Sequence, residues 1–445
     1  MKLNKQLCLL SGFAFLLNAN LSIASDGKAT ERKLAEQIQH IELQLEQLKS
    51  SQKLTTPTEV STKNWQINSY GSLVYKSENF FRNTQDINPK RRAKTDLERV
   101  VFEFVYNFDP TWEVEIELEY EHGGVGAALE YDGFEEFGEF ESEIEAGGEI
   151  IVEKLQAKYT HNKYLAIKLG HIFVPVGLGT NLHKPSQYFT AQRHWSEASM
   201  LPQVWHETGV NVITKWQNFT AQTLITTGLN SEFFRTYNWV STGHQRRFES
   251  VNADDLAFTL RLDYGDIKNG TGIGISYYNG DTSGNRNNTN KIDADGNLSI
   301  IGLSGAWRQG NWTAIGQYLY GELEDSQAIT LANKTTPGLK PGNFAQLGSV
   351  AESAFVEVAF NSQHMFNLSH PLYLFGAYEY ANPVKETESG NAMSRFDTQE
   401  YSFGLNYLPT SNLIFKAQLA EQNYAQQNLS NTHSFSLSFG YYFSI

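Results

Sequence analysis

Between residues 111 and 121 the chain reads TWEVEIELEYE, and no other stretch limits its fold so tightly. On a strand, successive side chains point to opposite faces. Trp112, Val114, Ile116, Leu118 and Tyr120 therefore share one face, and Glu113, Glu115, Glu117, Glu119 and Glu121 share the other. Two architectures accept such a strand. A soluble sandwich turns the apolar face inward and leaves the glutamates in bulk water. A transmembrane barrel turns the apolar face to lipid and the glutamates to a hydrated lumen, because a carboxylate in hydrocarbon costs kilocalories.

The rest of the chain favours the barrel. From residue 65 onward the hydrophobic period is two, and the pattern predicts sixteen strands, from 65–78, 98–108 and 112–122 to 433–445. Each is about as long as a tilted membrane-spanning strand. The links between them alternate. Long ones (79–97, 123–148, 173–205, 230–253) are separated by short ones such as Asp109-Pro110-Thr111, His161-Asn162, Gln217 and Gly310. Short turns on one rim and long loops on the other are the signature of an outer-membrane barrel. The final strand carries Phe435, Leu437, Phe439, Tyr441, Phe443 and Ile445 on one face, opposed by Ser434, Ser436, Ser438, Gly440 and Ser444.

The N-terminus supplies an address. Lys2 and Lys5 precede an apolar run, Leu7 to Leu17, and then Ser22-Ile23-Ala24, which reads as a secretory signal over 1–24. That run is too short to span a bilayer as a helix. The single cysteine, Cys8, lies within it, so the mature chain is expected to have no thiol or disulfide chemistry. Without Lys2 and Lys5 the chain carries 33 bases against 49 acids, a net of −16, which argues against nucleic-acid partners. Over 26–54, Leu34, Ile38, Ile41, Leu45 and Leu48 recur at alternating spacings of four and three, predicting a short periplasmic coiled coil. A linker, 55–64, leads to the barrel at 65–445.

The fold class expected is thus all-β: a 16-stranded antiparallel transmembrane β-barrel preceded by a short α-helical coiled coil. The window 169–210, LGHIFVPVGLGTNLHKPSQYFTAQRHWSEASMLPQVWHETGV, runs from a strand ending GHIFVPVG to one beginning WHETG. It resembles the trimeric phosphate-selective O/P porins of Gram-negative bacteria. The resemblance implies a loop, 173–205, folded into the lumen as a constriction, a homotrimer and passive diffusion of solutes. The final strand separately resembles the terminal strand that the barrel-assembly machinery recognises, with Tyr441, Phe443 and Ile445 as the signal and Ile445 in place of the usual terminal Phe.

Alternation places Lys154, Lys158, Lys168, Lys215 and Arg261 on the lumen face, with Lys184, Arg193, His183, His194 and Glu197 on the constriction loop. Opposed to the bases stand Glu103 and the glutamates of the third strand. An acidic wall facing a basic wall would orient dipolar solutes rather than concentrate one anion. The function expected is a porin for small hydrophilic, charged solutes. The alternatives are an anion- or phosphate-selective channel and a plugged barrel that binds a partner at its surface. Further partners expected are outer-membrane lipid and lipopolysaccharide.

Other constellations are weaker. The acidic run 130–145 has no base, but lacks the spacing of a calcium loop. His183, His194 and His206 follow no recognised ligand spacing, so neither a metal nor any other cofactor is expected. No nucleophile elbow, H-E-x-x-H or P-loop motif occurs, and Gly270-Thr271-Gly272-Ile273-Gly274 lacks a dinucleotide-binding context, so no enzymatic role is expected.

Overall fold

The structure is a computed structural model that describes residues 64–81, 88–123, 149–244, 251–287, 290–335, 346–390 and 392–445. The signal, coiled-coil and acidic-loop expectations fall outside these residues.

Sixteen strands close into one antiparallel barrel, each paired with its sequence neighbours and β1 with β16. They are β1 (Trp65–Phe80), β2 (Lys90–Asn107), β3 (Trp112–Glu121), β4 (Glu149–Asn162), β5 (Leu165–Phe173), β6 (His206–Trp216), β7 (Phe219–Thr227) and β8 (Leu256–Gly265). The second half comprises β9 (Gly272–Gly280), β10 (Leu298–Gln309), β11 (Trp312–Leu323), β12 (Val350–Asn361), β13 (Leu372–Glu386), β14 (Thr398–Thr410), β15 (Leu413–Tyr424) and β16 (Thr432–Ser444). Among the described residues two α-helices lie in loops: α1 (Trp195–Ala198) between β5 and β6, and α2 (Ser326–Thr335) between β11 and β12. The largest difference from the sequence reading is β2, which begins at Lys90 rather than 98.

The faces divide as alternation requires. On β3, Glu115, Glu117 and Glu119 are buried inside the barrel while Trp112 is 47% exposed. Ile225, Ile273, Leu303, Phe403 and Leu419 continue the exposed apolar exterior, at 50–67%. On β16, Ser434, Ser436 and Ser438 are buried and Leu437 is exposed. The last residue completes the closure: Ile445 N donates to Ile67 O at 2.9 Å, and Ile67 N donates back at 3.2 Å.

Exposed aromatics ring the short-turn rim. Trp65, Phe108, Trp112, Tyr164, Trp216, Tyr264 and Trp312 are 47–65% exposed, and several pack as tilted pairs across strands, as Trp65 with Tyr106 at 4.6 Å and Trp312 with Phe360 at 4.8 Å. Amphipathic rings at that height mark a membrane–water interface.

Short polar side chains set the tight turns. Asp109 Oδ1 accepts from Thr111 N and Trp112 N at 2.7 and 2.9 Å, and Asn162 Oδ1 accepts from Tyr164 N at 2.8 Å. At the opposite rim the loops fold over one side of the mouth. Leu229, Phe234, Trp239 and Val240 of the β7–β8 loop pack with Ile329 of α2 against inward-facing Tyr278, Ile300 and Leu319.

Candidate functional site

The loop between β5 and β6 lies inside the barrel. Val174 N donates to Trp205 O at 2.9 Å and closes its base. From there the loop is tied to strands around the circumference. Arg261 of β8 donates to Gly177 O at 2.8 Å and Pro175 O at 3.3 Å while pairing with Asp263 at 2.9 Å. Gln317 of β11 accepts from Leu178 N at 2.8 Å and donates to Glu197. Arg99 of β2 donates to His183 O. Lys416 of β15 donates to Tyr188 O and Thr190 O at 2.8 and 2.9 Å. Pro185 packs onto Gly440 of β16 so closely that any added Cβ would lie 2.5 Å from it.

The far wall holds the loop through two buried carboxylates. Glu357 of β12 accepts from Phe189 N at 2.9 Å, and Glu379 of β13 accepts from Ser196 N at 3.0 Å and Ser196 Oγ at 2.8 Å. His194 sits between them, Nε2 at 3.6 Å from Glu357 and Nδ1 at 3.3 Å from Glu379. Its ring stacks on Phe355 with 3.6 Å between centroids. Burial alone would lower the imidazole pKa, but Glu379 and Glu357 more than reverse this and raise it. Glu197 joins the loop's two limbs by accepting from Gly179 N at 2.8 Å.

The lumen charges interleave. Lys154 of β4 contacts Glu115 at 2.5 Å, Glu117, and Glu103 at 3.5 Å. Lys158 pairs with Glu113 at 3.3 Å, and Arg99 with Glu119 at 3.5 Å. From the loop, Lys184 reaches Glu103 at 3.7 Å, and Arg193 reaches Glu98 and Glu121, each at 3.9 Å. The expected transverse field is therefore corrected. The acidic row on β3 and the basic row on β4 are adjacent strands whose charges meet in pairs, so the two signs are not held apart across the pore. Lys168 joins this group from β5, directly opposite Lys158 in register. Lys215 lies exposed near the short-turn end of β6, away from the loop.

The three histidines weighed as a metal frame are dispersed. Burial, reinforced by Arg99, Lys154, Lys184 and Lys268, pushes the His183 imidazole well below its ordinary value. His194 is held as above, and His206 contacts His171 at 2.5 Å. Among the described residues, Glu103, Glu115 and Glu117 lie near enough to share an ion, but the Lys154 ammonium contacts all three.

Sequence reasoning missed Glu98, Arg99 and Glu153. Each sits at a β-bulge. The β1–β2 register shifts between Ser72 and Val74, turning both Glu98 and Arg99 inward, and the β3–β4 register shifts between Glu117 and Leu118, leaving Glu153 as the extra residue. Glu98, Arg99, Glu153 and Lys154 are all buried. The missed anchors Glu357, Glu379 and Lys416 stood on the lumen parity of β12, β13 and β15.

No family model matches the chain. An uncharacterised protein of Aquifex aeolicus (strain VF5) is 26% identical over 367 residues, spanning 80% of this chain and 76% of that relative. Among solved structures, OmpF of Salmonella typhi in complex with daunomycin overlays with a TM-score of 0.52 at 11% identity, covering 86% of this chain and 99% of that one. An anion-selective porin from Comamonas acidovorans gives 0.48 at 9% identity, covering 85% and 98%. The fold is the sixteen-stranded porin barrel. With its apolar exterior and aromatic rim, it is a barrel of the Gram-negative outer membrane.

Proposed function

We propose that this protein is a passive porin through which small hydrophilic solutes diffuse past the inward loop. The observation that carries this reading is the lumen wall, lined by acidic and basic side chains in opposite-sign contacts. That surface suits water and dipolar solutes and has no use in a dry core. Close alternation of sign favours weak ion preference. A phosphate-selective channel, as the resemblance of 169–210 implies, needs a row of bases without acidic neighbours, and Lys154, Lys158, Lys184 and Arg193 all have such neighbours. Within this reading Lys184, Arg193, His194 and Glu197 shape the narrowing, and the chains act as homotrimers stabilised by the 26–54 segment.

A second reading, the plugged surface barrel, draws support from the loop's attachment to β2, β8 and β11–β16. Conductance in planar bilayers separates the two. Stepwise currents in threes are expected from the porin, and silence from folded protein supports the plug. Changing Glu113, Glu115, Glu117 and Glu119 together to Gln is expected to shift the reversal potential in a salt gradient toward anions. No shift would remove these four residues from the permeation path.

A further inference from the structure

The turn between β8 and β9 does not stay at the rim. Ile267 is 7% exposed and packs with Leu178, Leu182, Ile315 and Phe355, which draws the turn into the lumen against the constriction loop. Arg308 of β10 fixes it there, donating to Ile267 O at 2.9 Å and to Gly270 O. Asp266 is engaged within the turn, accepting from Asn269 N at 2.9 Å.

Lys268, at the tip, is consequently exposed to the lumen, and among the described residues no hydrogen bond or ion pair engages its ammonium. It borders a chamber of about 390 Å³ beneath the loop, within the size range of small-molecule sites. Arg308 and Thr313 line the chamber on the same side. Phe189 of the loop and Tyr373, Asn406 and Leu408 of β13–β14 line the rest of it, two to four strands further round the same wall. No carboxylate lines it, in contrast to the paired charges of β2–β4. Partial burial, then Lys184 and Lys154, lower the Lys268 ammonium pKa, and Glu103 and Asp266 oppose them.

We propose that this chamber binds a small organic carboxylate with a flat apolar body, the carboxylate on Lys268 and the body against the Phe189 and Tyr373 rings. The two ends are separate requirements. A charge-assisted contact supplies the anion preference, and the two rings, 5.5 Å apart, supply an apolar face that a bare inorganic anion does not use. The inference rests on the porin reading only in that a solute must reach the chamber.

Benzoate is the probe, titrated calorimetrically into the folded full-length protein in detergent, with inorganic phosphate as competitor. Saturable benzoate binding is expected, weakened about tenfold or more by Lys268→Gln. Lys163→Gln, an equal charge change in the β4–β5 turn, is expected to leave binding unchanged. Absence of benzoate binding, or equal binding by Lys268→Gln, would overturn the site. Phosphate displacing benzoate at equal or lower concentration would overturn the apolar half. Bilayer conductance on the same preparation is read separately. A conducting protein that ignores benzoate sinks the chamber and leaves the porin, whereas a silent one that binds it does the reverse.

Discussion

Replacing His194 by leucine removes the one cation between two carboxylates while keeping an apolar body on Phe355. The imidazole is 3.3 Å from Glu379 and 3.6 Å from Glu357, and all three side chains are less than a tenth exposed. At an effective dielectric of about 20, each contact is worth about 5 kcal/mol before desolvation. Breaking a buried charge group by removing one partner costs about 3–5 kcal/mol. The deficit has a direction in pH. Because the folded imidazole pKa is raised, its contribution is complete below the unfolded value of about 6.5 and is lost as pH climbs through the folded one. The wild-type loop should therefore loosen on the alkaline side, and His194→Leu should resemble the alkaline wild type at every pH. Hydrogen exchange at the Phe189 and Ser196 amides, which donate to these carboxylates, reads the effect locally. Comparing the two proteins at each pH cancels the intrinsic base catalysis of exchange. A variant-to-wild-type ratio that stays near one at neutral pH, or that fails to shrink as pH rises, would refute the lock.

Two further perturbations test the frame and the oligomer. Gly170 has φ of +124°, and a Cβ there would lie 2.3 Å from Leu155 O. Gly170→Ala should therefore lower the unfolding midpoint by the equivalent of about 1–3 kcal/mol, and an unchanged midpoint would show that β5 relaxes freely. On the homotrimer proposed above, deleting residues 34–48 should lower the temperature at which trimers dissociate in heated gels, since a linked segment acts through effective concentration. Trimers of unchanged heat resistance would reduce the segment to a spacer.

The exterior of this barrel was legible because lipid leaves one rule for it. Every residue on that face of β3, and of β16 from Phe435 to Phe443, is apolar or aromatic, so a period of two gave strand number, lumen side and turn rim. The aromatic rim was also present in the sequence, at Trp65, Trp112, Trp216 and Trp312, each within a residue of a strand end. The interior follows no comparable rule, since a hydrated wall accepts charge, small polar residues and loop anchors alike. Glu357 and Glu379 could be placed facing inward, but nothing local indicated that Ser196 and Phe189, more than 160 residues earlier in the chain, would meet them.

The two bulges were more legible than the count of alternating residues suggested. Glu98-Arg99 and Glu153-Lys154 are adjacent ionisable pairs inside membrane strands. Strict alternation would send one member of each pair into hydrocarbon, at a cost of about 2–4 kcal/mol for a cation near the midplane. Inserting one residue into the ladder instead leaves a backbone pair unmade and turns both charges to the lumen, where Arg99 meets Glu119 and Lys154 meets Glu115. The bulge is the cheaper outcome, so consecutive charges within an otherwise alternating membrane strand are themselves the sequence signal for a register shift.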